Sequence, residues 1–423
     1  MKIIHLSTGD LSGGAARGSY WLHRGLIDMG IDSQMIVKNK ISDDLSVLAD
    51  NSKIEKYISK TTGTLDQLNL LKYPNRQRAI FSPANIGKNI VNRISEYKPD
   101  IINLHWICGG FITIEEISRL AKLAPLVWTI RDMWALTGGC HYSSGCLKYY
   151  DACGSCPHLE SQKDNDLSRS IWKRKNKSWK NSEVTIVAIS NWLADCAKKS
   201  SLFRDNATVK VIHNALNEEV YKPIDKKFAR NILNLSQDKK IILFGAINAT
   251  KDERKGFKYL IEALKKIDST DWQDKVELVV FGSSQANADL DISIKTHFLG
   301  KLHDDITLAL TYSAGDVMIV PSVEEAFGKT AMESLACGTP VVSFDSTGLK
   351  DIVEHWKNGY RAKCFSSEDL AQGIMWVLEN DERLHKLSQN ARKTVEEKFT
   401  LRLQAQKYLA VYQELIQNSQ HNL

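Results

Sequence analysis

The chain has 423 residues, 43% of them apolar and 25% charged, the make-up of a globular protein long enough for two domains with a full core each. No apolar run approaches the ~20 residues that span a bilayer, and the start MKIIHLSTGD turns polar too early for a signal peptide, so a cytoplasmic chain with reduced cysteines is expected. The net charge of +6 is uneven, because residues 1–200 carry 27 Lys and Arg against 19 Asp and Glu while the remainder carries 29 against 31. A surplus of that size on one half suits peripheral contact with an anionic membrane surface, and no helix-turn-helix, RRM or zinc-finger pattern points to nucleic acid.

Lys2 to Leu6 reads as a first strand, followed by a loop with Gly9, Gly13 and Gly14 and a helix from about Ala15 to Met29, apolar at Tyr20, Leu22, Leu26 and Met29. A glycine pair between strand and helix lets backbone approach a ligand closely, and it serves equally as a plain turn. Ser33 to Val37 is the next strand, and Ser42 to Ser82 is polar and irregular. The strand IINLHWI, from Ile101, carries His105 and Trp106 at its end, and Leu126 to Ile130 runs into RDMWALTGGCHY. His105 is either a hydrogen-bonded structural residue or a group lining a cleft.

Cys140, Cys146, Cys153 and Cys156 then fall within seventeen residues, CHYSSGCLKYYDACGSC, ending in a CxxC. Such a loop is either a tetrahedral thiolate site for structural zinc or a set of reduced thiols. Ser168 to Lys180 is basic, with Trp172 and Trp179 seven apart on one helical face, which suits a helix on anionic lipid or a solvated helix with its aromatic residues turned inward. Val184 to Ile189 is a strand, and Ser190 and Asn191 open a helix.

After Val209 to Ile212, a hinge falls near residue 215. Ile241 to Gly245 begins a second set of strands, Lys255-Gly256 precedes a helix from Phe257 to about Ile267, and strands follow at Val276 to Gly282 and Phe298 to Leu302. The densest stretch is Pro321 to Asp345, PSVEEAFGKTAMESLACGTPVVSFD: a buried strand at Val317 to Val320, a loop with two acids, a helix from Lys329 to Ala336 stopped by Gly338, and a strand to Phe344. Parallel strands joined by a helix put that loop at the carboxyl edge of a sheet, where ligands bind and a helix start offers N–H groups to an anion. A last helix runs from about Leu401 to Gln417.

Glu325, Phe327, Gly328, Glu333, Gly338 and Pro340 in these relative places resemble the signature of retaining glycosyltransferases of family four, most like those of colanic-acid and exopolysaccharide synthesis. The resemblance implies an α/β GT-B fold, two doubly wound Rossmann-like domains facing a central cleft. Residues 1–214 would form the acceptor-side domain with its Cys-rich loop 140–156, residues 215–400 the nucleotide-sugar domain, and 401–423 a helix crossing back. It implies a hexosyltransferase moving sugar with retention to a lipid-linked or polysaccharide acceptor, cytoplasmic or at the inner face of the membrane, with no cofactor required for catalysis. A nucleotide-sugar epimerase or a non-catalytic scaffold of polysaccharide assembly are the alternatives.

By the same resemblance Glu325 lies near the donor sugar, Ala326, Phe327, Gly328 and Lys329 present backbone to its hydroxyls and phosphates, and Glu333 accepts from the ribose. Lys255, Arg254, Gly348, Gly13 and Gly14 border the phosphates. Two departures stand out. The strand that in the family ends His-Asp ends here in Arg131-Asp132, and the arginine expected after the strand glycine is Ala246. Arg131 either contacts a phosphate or an acidic sugar, or the catalytic contribution has moved, or activity is impaired; Asp132 is a candidate contact to the acceptor hydroxyl.

Overall fold

The computed structural model describes residues 1–49, 61–77, 79–245, 252–282 and 290–421, so Ala246 lies outside the described residues. The chain divides into two compact units, one made of 1–215 and 402–423, the other of Leu216–Leu401.

In the first unit, strands β1 (Lys2–Gly9), β2 (Asp32–Asn39), β3 (Val47–Leu48), β4 (Ile101–Leu104), β5 (Leu126–Ile130), β6 (Val184–Ala188) and β7 (Ala207–Val211) form one sheet in the order β3-β2-β1-β4-β5-β6-β7. Every pairing is parallel. The central strands are buried along almost their whole length, as parallel strands covered on both faces must be. The order reverses between β1 and β4, so the loops after these two strands part to opposite faces and leave a crevice at their carboxyl ends. The expected strand IINLHWI stops at Leu104, which puts His105 and Trp106 in the crevice loop.

Helix α1 (Gly13–Asp28) buries Trp21, Leu22 and Leu26. The last helix, α2 (Leu401–His421), belongs to this unit: Ala405, Tyr408, Val411 and Tyr412 share a core cluster with Ile3, Ile101 and Val127. Asn103 Nδ2 donates to the Tyr412 hydroxyl at 2.6 Å, and the hydroxyls of Thr129 and Tyr408 lie 3.0 Å apart.

The second unit repeats the plan with strands β8 (Lys240–Gly245), β9 (Val276–Phe281), β10 (Thr296–Gly300), β11 (Val317–Val320), β12 (Val341–Phe344) and β13 (Gly359–Ala362), ordered β10-β9-β8-β11-β12-β13 and parallel throughout. Its reversal falls between β8 and β11. Helices Phe257–Asp268 and Ser367–Leu378 bury Leu260, Leu264, Ile374 and Val377 against Ile242, Val280 and Ile319. Asp316, at the foot of β11, is buried and accepts from Arg230 Nη2 at 2.6 Å, from Lys226 Nζ at 2.8 Å and from the Ile241 N–H, which ties β8 to β11 below the crevice.

Candidate active site

The loops after β8 and β11 meet at the second unit's crevice. After β8 the chain turns at Glu253–Lys255, where Asp252 accepts from the Arg254 N–H at 3.1 Å and from Arg254 Nη2 at 2.7 Å. Gly256 then adopts φ +70°, and a Cβ there would lie 1.9 Å from the Pro321 carbonyl oxygen. Only glycine fits both demands. The close approach delivers Lys255 to the β11 loop, and its Nζ pairs with Glu325 Oε2 at 2.6 Å, both side chains largely shielded from water. The Val323 N–H donates to the Arg254 carbonyl at 2.8 Å, so backbone joins the two loops as well. Arg254 itself is turned to Asp252 and the Glu324 carbonyl rather than presented as a second phosphate cation.

A third loop, after β12, completes the crevice. Thr347 Oγ1 accepts from the Glu325 N–H at 3.1 Å, and the Gly348 N–H donates to the Glu325 carbonyl at 3.0 Å. Gly348 passes so close that a Cβ would lie 2.4 Å from the Ala326 carbonyl oxygen. Helix α3 (Lys329–Ala336) begins at Gly328, with φ +112° and no side-chain cap, so its amino-terminal dipole end is left for a ligand. Phe327 is buried against Phe399, with ring centroids 5.7 Å apart, and only its backbone belongs to the site. Glu333, one turn into α3 and 2% exposed, accepts from the Tyr312 hydroxyl at 2.9 Å and pairs with Lys329 at 2.6 Å.

In the first unit the crevice gathers the loops after β1, β4 and β5. Gly13, with φ +88°, and Gly14 form the exposed start of α1. His105 is engaged at both ring nitrogens, with Nε2 2.9 Å from His5 Nδ1 and Nδ1 3.5 Å from Arg131 Nη2. Burial holds both imidazoles well below the usual histidine range, so each is neutral. Asp132 does not present a free carboxylate. Oδ2 accepts from Trp106 Nε1 at 2.9 Å and lies 2.7 Å from His141 Nδ1, and Oδ1 accepts from the Trp134 N–H at 2.8 Å. His5, His141 and Thr347 were not singled out from the sequence as site residues, though a histidine inside the buried run of β1 is a detectable signal.

Of the two readings of the cysteine loop, structural zinc or reduced thiols, the zinc site is not evident among the described residues. Cys140, Cys146, Cys153 and Cys156 line one small pocket, yet among the described residues no group of three or more His, Cys, Asp or Glu is arranged to hold a metal. Cys153 Sγ accepts from the Gly138 N–H at 3.1 Å, and burial raises the thiols of Cys140, Cys153 and Cys156, Cys153 to about 11, which keeps those three protonated. The basic helix α4 (Leu167–Trp179) also differs from the lipid-facing reading, for Trp179 packs edge-on to Trp128 and stacks on Phe203. Lys175 is fully buried, donates to the carbonyls of Trp134 and Thr137 and sits 3.7 Å above the Trp134 ring, and burial lowers it to about 7. Arg174 pairs with Glu115. Trp179 thus faces core, and Trp172 is half-buried with its Nε1 donating to Ser201 Oγ at 3.0 Å. Among the described residues no helix is long and apolar enough to cross a membrane.

Residues 225–394 match the family described as glycosyl transferases group 1. An uncharacterized glycosyltransferase, MJ1607, of Methanocaldococcus jannaschii is 33% identical over 204 residues, which is 45% of this chain and 50% of that protein. The chain thus spans about half the length of the curated relatives it matches. Among solved structures, sucrose-phosphate synthase from Thermosynechococcus elongatus aligns over 99% of this chain and all of its own with a TM-score of 0.68 at 18% identity. HepE of Anabaena, solved with UDP and glucose, aligns over 98% of this chain and all of its own with a TM-score of 0.64, also at 18% identity. The two parallel sheets, of seven and six strands, are those of the GT-B fold.

Proposed function

We propose, from the premise that residues 225–394 belong to the glycosyl transferases group 1 family and that the chain has the GT-B fold, that this protein moves a sugar from a nucleotide-sugar donor to a saccharide acceptor with retention. The observation that carries the reading is the Lys255–Glu325 pair at the reversal of the second sheet, beside the uncapped start of α3. A cation and a helix amino terminus suit a diphosphate, and a carboxylate accepts from adjacent sugar hydroxyls. Glu333, one helical turn deeper, is our ribose contact, and the N–H groups from Ala326 to Lys329 are assigned to the donor's hydroxyls and phosphates. With Lys255 and the dipole neutralising the departing diphosphate, the chemistry requires no metal. A leaving phosphate that takes the acceptor proton on the same face also requires no side-chain base, and the engagement of both His105 nitrogens supports that route.

UDP is the first nucleotide to test, since the related HepE chain was solved with it. We assign the acceptor to the first unit, at the loops after β1, β4 and β5, and read it as a lipid-linked or polysaccharide saccharide of cell-surface assembly. The basic surplus of residues 1–200 supports an acceptor at an anionic membrane face. The test is calorimetric titration of UDP, GDP, ADP and dTDP into the full chain and into Lys255→Ala. Binding of one nucleotide, lost in the variant, is expected. No binding by any of the four would overturn the reading in favour of a non-catalytic role.

A further inference from the structure

Arg131, the first residue after β5, is 6% exposed. Its Nη1 donates to Asn214 Oδ1 at 2.6 Å and its Nη2 makes a long contact, 3.5 Å, with His105 Nδ1, while Nε is buried without a partner. Both acceptors are neutral. The adjacent carboxylate, Asp132, is taken up by Trp106, His141 and Trp134, and the phenols of Tyr408 and Tyr412 are kept protonated by burial. Among the described residues no carboxylate forms an ion pair with Arg131.

The histidines are consistent with this arrangement. Because His105 Nδ1 accepts from Arg131 and the ring is neutral, the His105 proton sits on Nε2 and is donated to His5 Nδ1. The two rings stack with centroids 5.2 Å apart. Gly18 of α1 adds the last wall, since a Cβ there would lie 2.4 Å from Arg131 Nη1. The guanidinium is thus held by β5, the β4 loop, α1 and Asn214, and it lines a narrow pocket with His105, Trp106 and Asp132. Four elements position one cation without supplying an anion. A desolvated charge left in that state is costly, and a planar fork of N–H donors matches a phosphate or carboxylate.

We propose that Arg131 recognises an oxyanion, a phosphate or a carboxylate, carried by the acceptor sugar. The inference rests on the transferase reading and names the chemical class of its acceptor. His105 and Asn214 act as positioning residues for that cation.

Calorimetric titration of glucose 6-phosphate, glucuronate and glucose into the full chain tests it. At least one anionic sugar is expected to bind tenfold or more tightly than glucose, and inorganic phosphate should compete the preference away. A preference for glucose 6-phosphate alone assigns a phosphate, and a preference for both assigns either oxyanion. Arg131→Gln should abolish the preference, with the fold checked by circular dichroism. Arg131→Lys, which keeps the charge and loses the fork, should retain part of it if the glutamine variant does not fold. Lys255→Ala should lose nucleotide binding and keep the preference, which separates this site from the donor phosphates. Equal binding of all three sugars, no binding of any, or a preference surviving in Arg131→Gln would overturn the inference. Failure of every nucleotide to bind would instead remove the transferase reading.

Discussion

Lys255 and Glu325, 70 residues apart in sequence, place Nζ and Oε2 at 2.6 Å where the order of the second sheet reverses. Neither side chain is spent on holding its own loop, since backbone contacts from Val323, Glu325 and Gly348 already do so. The pair is therefore free to open toward a ligand that offers phosphates to one partner and hydroxyls to the other. Lys255→Ala should lose nucleotide binding, a weakening of a hundred-fold or more, about 3 kcal/mol. Glu325→Gln should leave that affinity within a few-fold and depress turnover. Calorimetry on both variants checks the split, and equal losses of affinity would mean that the two residues share one role.

Glu333 is more than a ribose contact. Its buried carboxylate holds the Tyr312 hydroxyl and Lys329, so Glu333→Ala should destabilise the second unit by about 2–4 kcal/mol besides reducing donor turnover. Glu333→Gln keeps the shape and an acceptor for Tyr312, and should lose turnover with a much smaller change in stability. Urea unfolding followed by fluorescence measures the difference; a Glu333→Ala midpoint equal to wild type would show that the carboxylate carries no structural share.

Gly256→Ala should be severe although it adds one methyl group. The positive φ costs an L-residue about 1–2 kcal/mol, and the 1.9 Å approach to Pro321 forces the loops apart in addition. Loss of both nucleotide binding and thermal stability is expected, and a melting temperature within a degree of wild type would contradict it.

The first unit should lose stability on acidification. Burial holds His23 at about 4, below the 6.5 of an unfolded histidine, so the unfolded chain binds more protons between these values and stability falls as pH drops through that window. The full effect from this one group is about 3 kcal/mol. His23→Gln should flatten the dependence between pH 6.5 and 4 in thermal melts, and an unchanged slope would show that other groups dominate.

Local punctuation made much of the second unit readable. Gly328 and Gly338 bracket a helix whose bounds, Lys329–Ala336, follow from their spacing, and Val317–Val320 needs only its apolar run. The partners did not follow. That Lys255 meets Glu325, or that His5 stacks on His105 across 100 residues, depends on which strands lie side by side, and periodicity is silent on that. The Trp172–Trp179 spacing correctly puts both residues on one side of a helix, but a stripe of aromatic and basic residues reads the same whether it meets lipid or core. Lys175 decides the case, because its ammonium reaches the Trp134 and Thr137 carbonyls inside the unit. Cysteine spacing likewise fixed a shared pocket without fixing where each sulfur points.

The membership of α2 in the first unit bears on the order of assembly. Residues 216–401 are continuous, so the second unit has its whole core in hand as soon as that stretch has left the ribosome. The first unit has to wait. Ala405, Tyr408, Val411 and Tyr412 fill the cluster around Ile3, Ile101 and Val127, and they emerge only after the entire second unit has been made. Until then one apolar flank of the first sheet is open during synthesis, and a chain interrupted just past residue 401 would carry a finished second unit on an incomplete first one.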